Sequence, residues 1–209
     1  VQSKVTTKPS KEPVSLDELK ASLRITHPSE DALLSQFITD ARFYAEDYTG
    51  RKFITQTITS YYDDAGINGE EWWSGTRVGA ITSLTGGETL ELRYAPALAI
   101  DSIDLINQSN NEALYSADNY YLDNFDDNIK PKIILNSGAT ISGDLRAKNS
   151  IKVIWQAGYG PEASDVPSAI RRGIIILAGE LYNSRGDCEA AACSCGVNEM
   201  LKQYKFLHA

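Results

Sequence analysis

An α+β fold, with a helical bundle built from both ends of the chain and an antiparallel β module inserted between them, is predicted by three features of the sequence. Apolar residues recur at three- and four-residue steps over residues 14–53 and again over 161–209. Between residues 54 and 160 the period falls to two and β-branched residues dominate. Residues 1–13 carry Lys4, Lys8 and Lys11 with few apolar groups and read as a mobile arm. With 209 residues, 42% of them hydrophobic and 23% charged, the chain can bury one good-sized core or two small ones.

The first helix opens on a capping box, Ser15-Leu16-Asp17-Glu18, with Val14 and Leu19 at staple positions. Leu16, Leu19 and Leu23 share one face, and the helix is expected to end before His27-Pro28, because a residue preceding proline is pushed out of the α region. Ser29 is expected to cap the second helix, with Glu30 and Asp31 at the positive end of its dipole. Leu33, Leu34, Phe37, Ile38, Ala41, Tyr44, Ala45 and Tyr48 form its stripe, and Gly50 its stop.

Six strands are expected, over residues 56–62, 89–94, 102–106, 120–122, 132–135 and 150–155. Residues 63–87, which hold Asn68 and the adjacent Trp72 and Trp73, read as a long loop or extended hairpin, a length that usually signals a contact. Asp165 and Pro167 open a third helix carrying Ile170, Ile174, Leu177, Ala178, Leu181 and Tyr182. Met200, Leu201, Tyr204 and Leu207 outline a short last helix.

Charge and composition exclude several functions. There are 20 Lys+Arg against 28 Asp+Glu, a net charge of -8, the wrong sign for a protein that grips phosphates over a broad surface. The longest apolar run, residues 174–178, is far too short to span a bilayer, so no membrane partner is expected, and the polar N-terminus predicts neither signal peptide nor lipid anchor. Cys188, Cys193 and Cys195 crowd into eight residues and cannot all pair within one chain, so reduced thiols in a cytoplasmic protein are expected.

The same cysteines with His208 could ligate zinc, but the two-residue knuckle spacing is missing and Ala190-Ala191-Ala192 supplies no supporting polar groups, so neither metal nor cofactor is expected. A Ser-His-Asp hydrolase would have to recruit His27 or His208, and no catalytic residue is assigned. Gly158-Tyr159-Gly160 lacks the further residues of a phosphate cradle and reads as a strand-to-helix turn. Trp72 and Trp73 beside Tyr61-Tyr62 could stack on sugars, the basis of an alternative reading as a carbohydrate-binding β module or tail-associated binding protein. A protein interface or a hairpin core explains the two tryptophans equally well.

The order of these segments resembles the head-to-tail connector, or adaptor, proteins of long-tailed double-stranded DNA phages and related gene-transfer particles. The resemblance rests on residues 14–25 and 30–51, closing with Tyr44-Ala45-Glu46-Asp47-Tyr48-Thr49-Gly50-Arg51, on the strand entry Ile54-Thr55-Gln56-Thr57, and on Ala157-Gly158-Tyr159-Gly160, Val166-Pro167-Ser168-Ala169-Ile170, Leu181-Tyr182-Asn183-Ser184-Arg185 and residues 197–204. The loops at 63–87 and 188–195 depart from the family pattern. The resemblance implies a non-enzymatic virion subunit, assembled in the host cytoplasm and placed at the head–tail junction. It would form a homo-oligomeric ring, commonly twelve-fold, bind the portal protein, dock the stopper or tail protein and let DNA pass.

It further implies that the C-terminal segment lodges in the portal, with Met200, Leu201, Tyr204, Phe206 and Leu207 as docking candidates; capping the chain's own bundle is the alternative use of these residues. Trp72 and Trp73 become interface-loop candidates. Asp101, Asp104, Asp118, Asp123, Asp126 and Asp127 lie in a stretch without Lys or Arg and become candidates for an acidic channel face past which DNA slides.

Overall fold

The computed structural model of the chain describes residues 2–63, 84–85, 89–124, 129–141, 144–184 and 195–205. It divides into a strand unit, Val1–Lys8 with Gln56–Ala157, and a helical unit, Pro9–Thr55 with Gly158–Ala209.

The described strands are β1 (Gln2–Thr7), β2 (Gln56–Tyr62), β3 (Leu84–Thr85), β4 (Thr89–Glu91), β5 (Ala97–Ile106), β6 (Glu112–Leu114), β7 (Tyr120–Asp123), β8 (Lys132–Leu135), β9 (Thr140–Ile141) and β10 (Ile151–Ala157). All pair antiparallel, in a five-stranded sheet β1-β2-β10-β5-β6, a three-stranded sheet β4-β8-β7 and the pair β3-β9. β2 and β10 alternate strictly between buried and half-buried residues, as a sheet with one face on a core must. Ile58, Val153 and Trp155 from that face pack with Leu90, Leu92, Ile133 and Ile141. Buried polar groups there are satisfied: the Trp155 indole donates to Ser60 Oγ at 3.0 Å and the Tyr62 hydroxyl to the Glu91 carbonyl at 2.7 Å. Burial pushes the Tyr62 phenol far above its ordinary pKa.

The expected mobile arm is a correction. Gln2–Thr7 form an edge strand on β2, with Val5 opposite Ile58 and packed on the core, and with Ser3–Ser60 and Thr6–Thr59 hydroxyl contacts of 2.9 and 2.7 Å. One apolar residue in six gives no local signal; the order comes from the backbone partners that β2 supplies. Residues beyond it are held in the helical unit, where Glu12 meets Arg42 at 2.6 Å and the Pro13 carbonyl accepts from Arg171 at 3.0 Å.

The helical unit contains α1 (Leu16–Leu23), α2 (Asp31–Thr49), α3 (Ser168–Asn183) and α4 (Cys195–Lys202). Leu19, Leu34, Ile38, Ala41, Ala45, Phe53, Ile54, Ile170, Ile174 and Ala178 form its core. Gly50 ends α2 in the left-handed conformation at φ 72°, the stop expected of it. Ser29 does not cap α2: Glu30 holds that position without a capping bond, its carboxylate accepting from the Tyr182 hydroxyl at 2.6 Å, and the Ser29 hydroxyl instead meets His27 Nδ1 at 2.7 Å. α4 also starts earlier than its periodicity suggested and stops at Lys202.

The capping box of α1 forms as its residues dictate, Glu18 N–H donating to Ser15 Oγ at 3.2 Å and Ser15 N–H to Glu18 Oε2 at 2.8 Å. The amide of Ser15, with Arg171 beside it, holds the Glu18 carboxyl below its ordinary pKa. A lowered folded-state value means that this stability is present above the unfolded value of about 4.3 and is lost as pH falls through the folded one. Ser15→Ala is expected to cost about 1 kcal/mol in urea unfolding at pH 7. Glu18→Gln should flatten the acid side of the stability profile; an unchanged profile would contradict the assignment.

Candidate assembly interface

Association with other chains needs exposed apolar surface, and the described residues offer it separately on each unit. On the strand unit, Leu98, Leu114, Tyr121 and Ile129 are exposed, Leu114 on the edge strand β6 at 73%. On the helical unit, Phe43 and Tyr44 of α2 are the exposed aromatics. Tyr44 stacks on Tyr48 with ring centres 6.4 Å apart, and Arg42 lies 4.4 Å over the Phe43 ring. Phe43 was not singled out by sequence reasoning, although its place off the buried stripe of α2 is the signal that could have found it.

The acids of residues 101–127 do not form one uncompensated row. Asp101 and Asp104 belong to β5, where Asp101 accepts from the Gln156 amide at 2.8 Å. Lys152 of β10 reaches Glu112 at 2.7 Å and Asp104 at 3.7 Å, and the Glu112 hydrogen bond foremost raises the pKa of the ammonium group. Asp118 and Asp123 are exposed elsewhere, Asp118 in the 3-10 turn Ala117–Asn119 and Asp123 in β7 of the three-stranded sheet, in register with Lys132. Strand pairing has thus brought lysines from distant sequence to a stretch that contains none. Asp126 and Asp127 lie outside the described residues, as do Trp72 and Trp73.

The C-terminal candidates divide. Leu201 is fully buried, and with Val197 it packs against α3 where Gly173 lets the helices approach: a Cβ there would lie 3.4 Å from both side chains. Leu201 is therefore an anchor of its own bundle, which corrects its place among portal-docking candidates. Met200 and Tyr204 are half-buried; the Tyr204 carbonyl accepts from Arg51 Nε at 2.6 Å, and Lys205 lies 4.6 Å over the Tyr48 ring. Phe206 and Leu207 lie outside the described residues. Leu201→Ala is expected to cost about 2–3 kcal/mol, the lower part of the usual range because α4 is a short terminal helix. Thermal unfolding checks this, and an unchanged midpoint would return Leu201 to the surface.

Other chemistry finds little support. Tyr61 and Tyr62 point to opposite faces of β2 and Tyr62 is buried, so the two cannot form a stacking platform. The Gly158-Tyr159-Gly160 segment is tied to its own chain, Tyr159 N–H donating to the Phe53 carbonyl at 2.9 Å and Thr55 N–H to that of Gly160 at 3.0 Å. Among the described residues no group of three or more His, Cys, Asp or Glu is placed to hold a metal ion. Cys188, Cys193 and His208 lie outside them. No described helix is long and apolar enough to cross a membrane.

Three solved structures contain chains of this fold: the neck of an empty gene transfer agent particle computed with C6 symmetry (TM-score 0.74, 18% identity), the virion of the native particle (0.76, 18%) and the neck of the native particle computed with C12 symmetry (0.73, 17%). Each likeness covers 100% of this chain and 97% of the other, and at such identity it shows the fold alone. No curated protein matches. The profile of the phage gp6-like head-tail connector proteins matches residues 13–119, from the residue before Val14 through α1, α2 and the strands to the turn that precedes β7, which is just over half of the 209. The chain therefore belongs to the phage gp6-like head-tail connector family, a family of structural connectors and not of enzymes.

Proposed function

We propose that the protein is the adaptor of a virion's head–tail junction. Copies close into a ring on the portal, offer the opposite rim to a stopper or tail component, and leave a channel through which DNA passes. The observation that carries this reading is the likeness, over the whole chain, to chains from particles whose necks were computed with cyclic symmetry, joined to membership of a connector family. A cyclic ring needs one surface complementary to a different surface of the same chain. The net charge of -8 suits a conduit, because a strongly basic lumen would hold DNA through many phosphate contacts.

Portal attachment in this reading belongs to the outer side of α4 and to residues 203–209. Leu201 holds the helix to the bundle, while Met200 and Tyr204, with Phe206 and Leu207, are offered to the portal. Mixing the purified protein with its portal and imaging by negative stain should give closed rings coaxial with the portal. Truncation after Lys205 should spare the melting temperature and abolish attachment. If the wild-type protein never forms a ring, free or on the portal, the reading is wrong; if the truncated protein attaches at normal affinity, only the C-terminal docking role falls.

A further inference from the structure

The five-stranded sheet ends in β1 on one side and β6 on the other, and among the described residues neither edge has a second partner strand. The register places the charges of this sheet. Gln2 stands opposite Tyr61, Tyr61 opposite Lys152, Lys152 opposite Asp104 and Asp104 opposite Leu114; Lys4, two residues to the Thr59 side of this row, and Glu112, two residues to its Ile106 side, share that face. It is the face turned away from the core residues Ile58, Val153 and Trp155. Along it the charge changes sign from edge to edge: Lys4 on β1, none on β2, Lys152 on β10, Asp104 on β5 and Glu112 on β6.

The backbone of β6 is also oriented for a partner. Asn107 N–H donates to the Asn111 carbonyl at 3.1 Å and Tyr115 N–H to that of Ile103 at 2.8 Å. By the alternation of an antiparallel ladder, residues 111, 113 and 115 turn their backbone groups toward β5, and Glu112 and Leu114 turn theirs outward. Leu114 adds a side chain that is 73% exposed.

We propose that neighbouring copies of this chain join by adding β1 of one copy to β6 of the next, so that the sheet runs on from subunit to subunit. This rests on the ring reading and names its joint. Five antiparallel strands leave β1 and β6 pointing the same way, and the small rotation between neighbours in a many-membered ring preserves that direction, so the added pair is parallel. With the added strand staggered by four residues relative to its level in its own sheet, Lys4 meets Glu112, and its aliphatic stem covers Leu114 on the same face. Pairing of like edges would set Lys4 against Lys4 or Glu112 against Glu112, so charge selects the head-to-tail joint that closes a ring over the two-fold joint that stops at a dimer.

The test uses the full chain with its portal and counts closed rings by negative stain, with melting temperature as the control for folding. Leu114→Pro removes an N–H that faces outward and is expected to weaken each joint roughly two- to tenfold. Lys4→Glu and Glu112→Lys should each lower ring yield, and the double reversal should restore it. Rescue can only be intermolecular, because the two residues sit on opposite edges of their own sheet. Wild-type ring yield in every single variant, or failure of the double reversal to recover, overturns the joint and leaves the ring reading standing. Absence of rings from the wild-type protein overturns the ring reading and the joint with it.

Discussion

Replacing Gly158 by alanine should destabilise the helical unit by about 4 kcal/mol, the sum of a backbone penalty and a steric one. Gly158 has φ +143°, a region that residues with a Cβ rarely adopt. A Cβ added there would lie 2.7 Å from the Ile54 carbonyl carbon, 2.7 Å from the Thr55 nitrogen and 2.8 Å from the Thr55 Cα. These are backbone atoms of a segment pinned by the 2.9 and 3.0 Å hydrogen bonds on either side, so no side-chain rotation relieves the clash. Gly160 is a milder case: there a Cβ would meet the Asp165 side chain, whose carboxylate can swing away at the expense of its 2.9 Å bond from the Glu162 amide; the Asp165 Cβ at 2.8 Å needs a small backbone shift, and no left-handed backbone penalty is added. Urea unfolding of both variants should therefore rank Gly158→Ala well above Gly160→Ala. A loss below about 1 kcal/mol at Gly158 would mean that residues 53–55 are free to shift.

What the sequence disclosed and what it withheld divide along the range of the interactions. The capping box at Ser15, the stop of α2 at Gly50, and the strands β2 and β8 are encoded by neighbours a few residues apart, and α1 starts, α2 ends and the two strands run where those neighbours say, whereas α2 starts without its expected Ser29 cap and α1 already ends at Leu23. β1 and β6 were missed because Gln2–Thr7 and Glu112–Leu114 carry little apolar or alternating signal; their partners lie elsewhere in the chain. The first residues of β5, Ala97-Leu98-Ala99-Ile100, escaped because alanine is depleted in strands and blurs the pattern. At the candidate interface, the acids of residues 101–127 were legible as acids, but not their compensation by Lys152, which arrives through the β10–β5 register. Leu201 was legible as apolar on a helix. Which way it faces depends on the gap left by Gly173, 28 positions earlier in the chain, and no local pattern reports that.

The same long-range logic governs the charged cluster at the end of α2, where Glu46→Ala is expected to cost about 4 kcal/mol. Its side chain is fully buried, and one carboxylate oxygen lies 2.7 Å from Lys52 Nζ and 3.4 Å from Arg42 Nη1; the other accepts from the Phe53 amide at 3.3 Å. Arg42 is in turn held by Glu12 at 2.6 Å, so two acids balance two cations around a site that water barely reaches. Removing Glu46 leaves Arg42 with Glu12 as its acid, takes from Lys52 its 2.7 Å ion-pair partner and orphans a buried amide. Glu46→Gln keeps the shape and the amide partner but not the charge, and should fall between wild type and alanine. Replacing Glu46 and Lys52 together, by Leu and Met, removes a charge of each sign and should cost less than Glu46→Ala alone, because burying a matched pair gains little over apolar packing while breaking it costs much. Equilibrium urea unfolding of the four proteins at pH 7 decides the matter. A double replacement worse than the single would mean that the cluster holds residues 51–54 against α2 through its geometry, with the ion pair stabilising the helical unit in its own right.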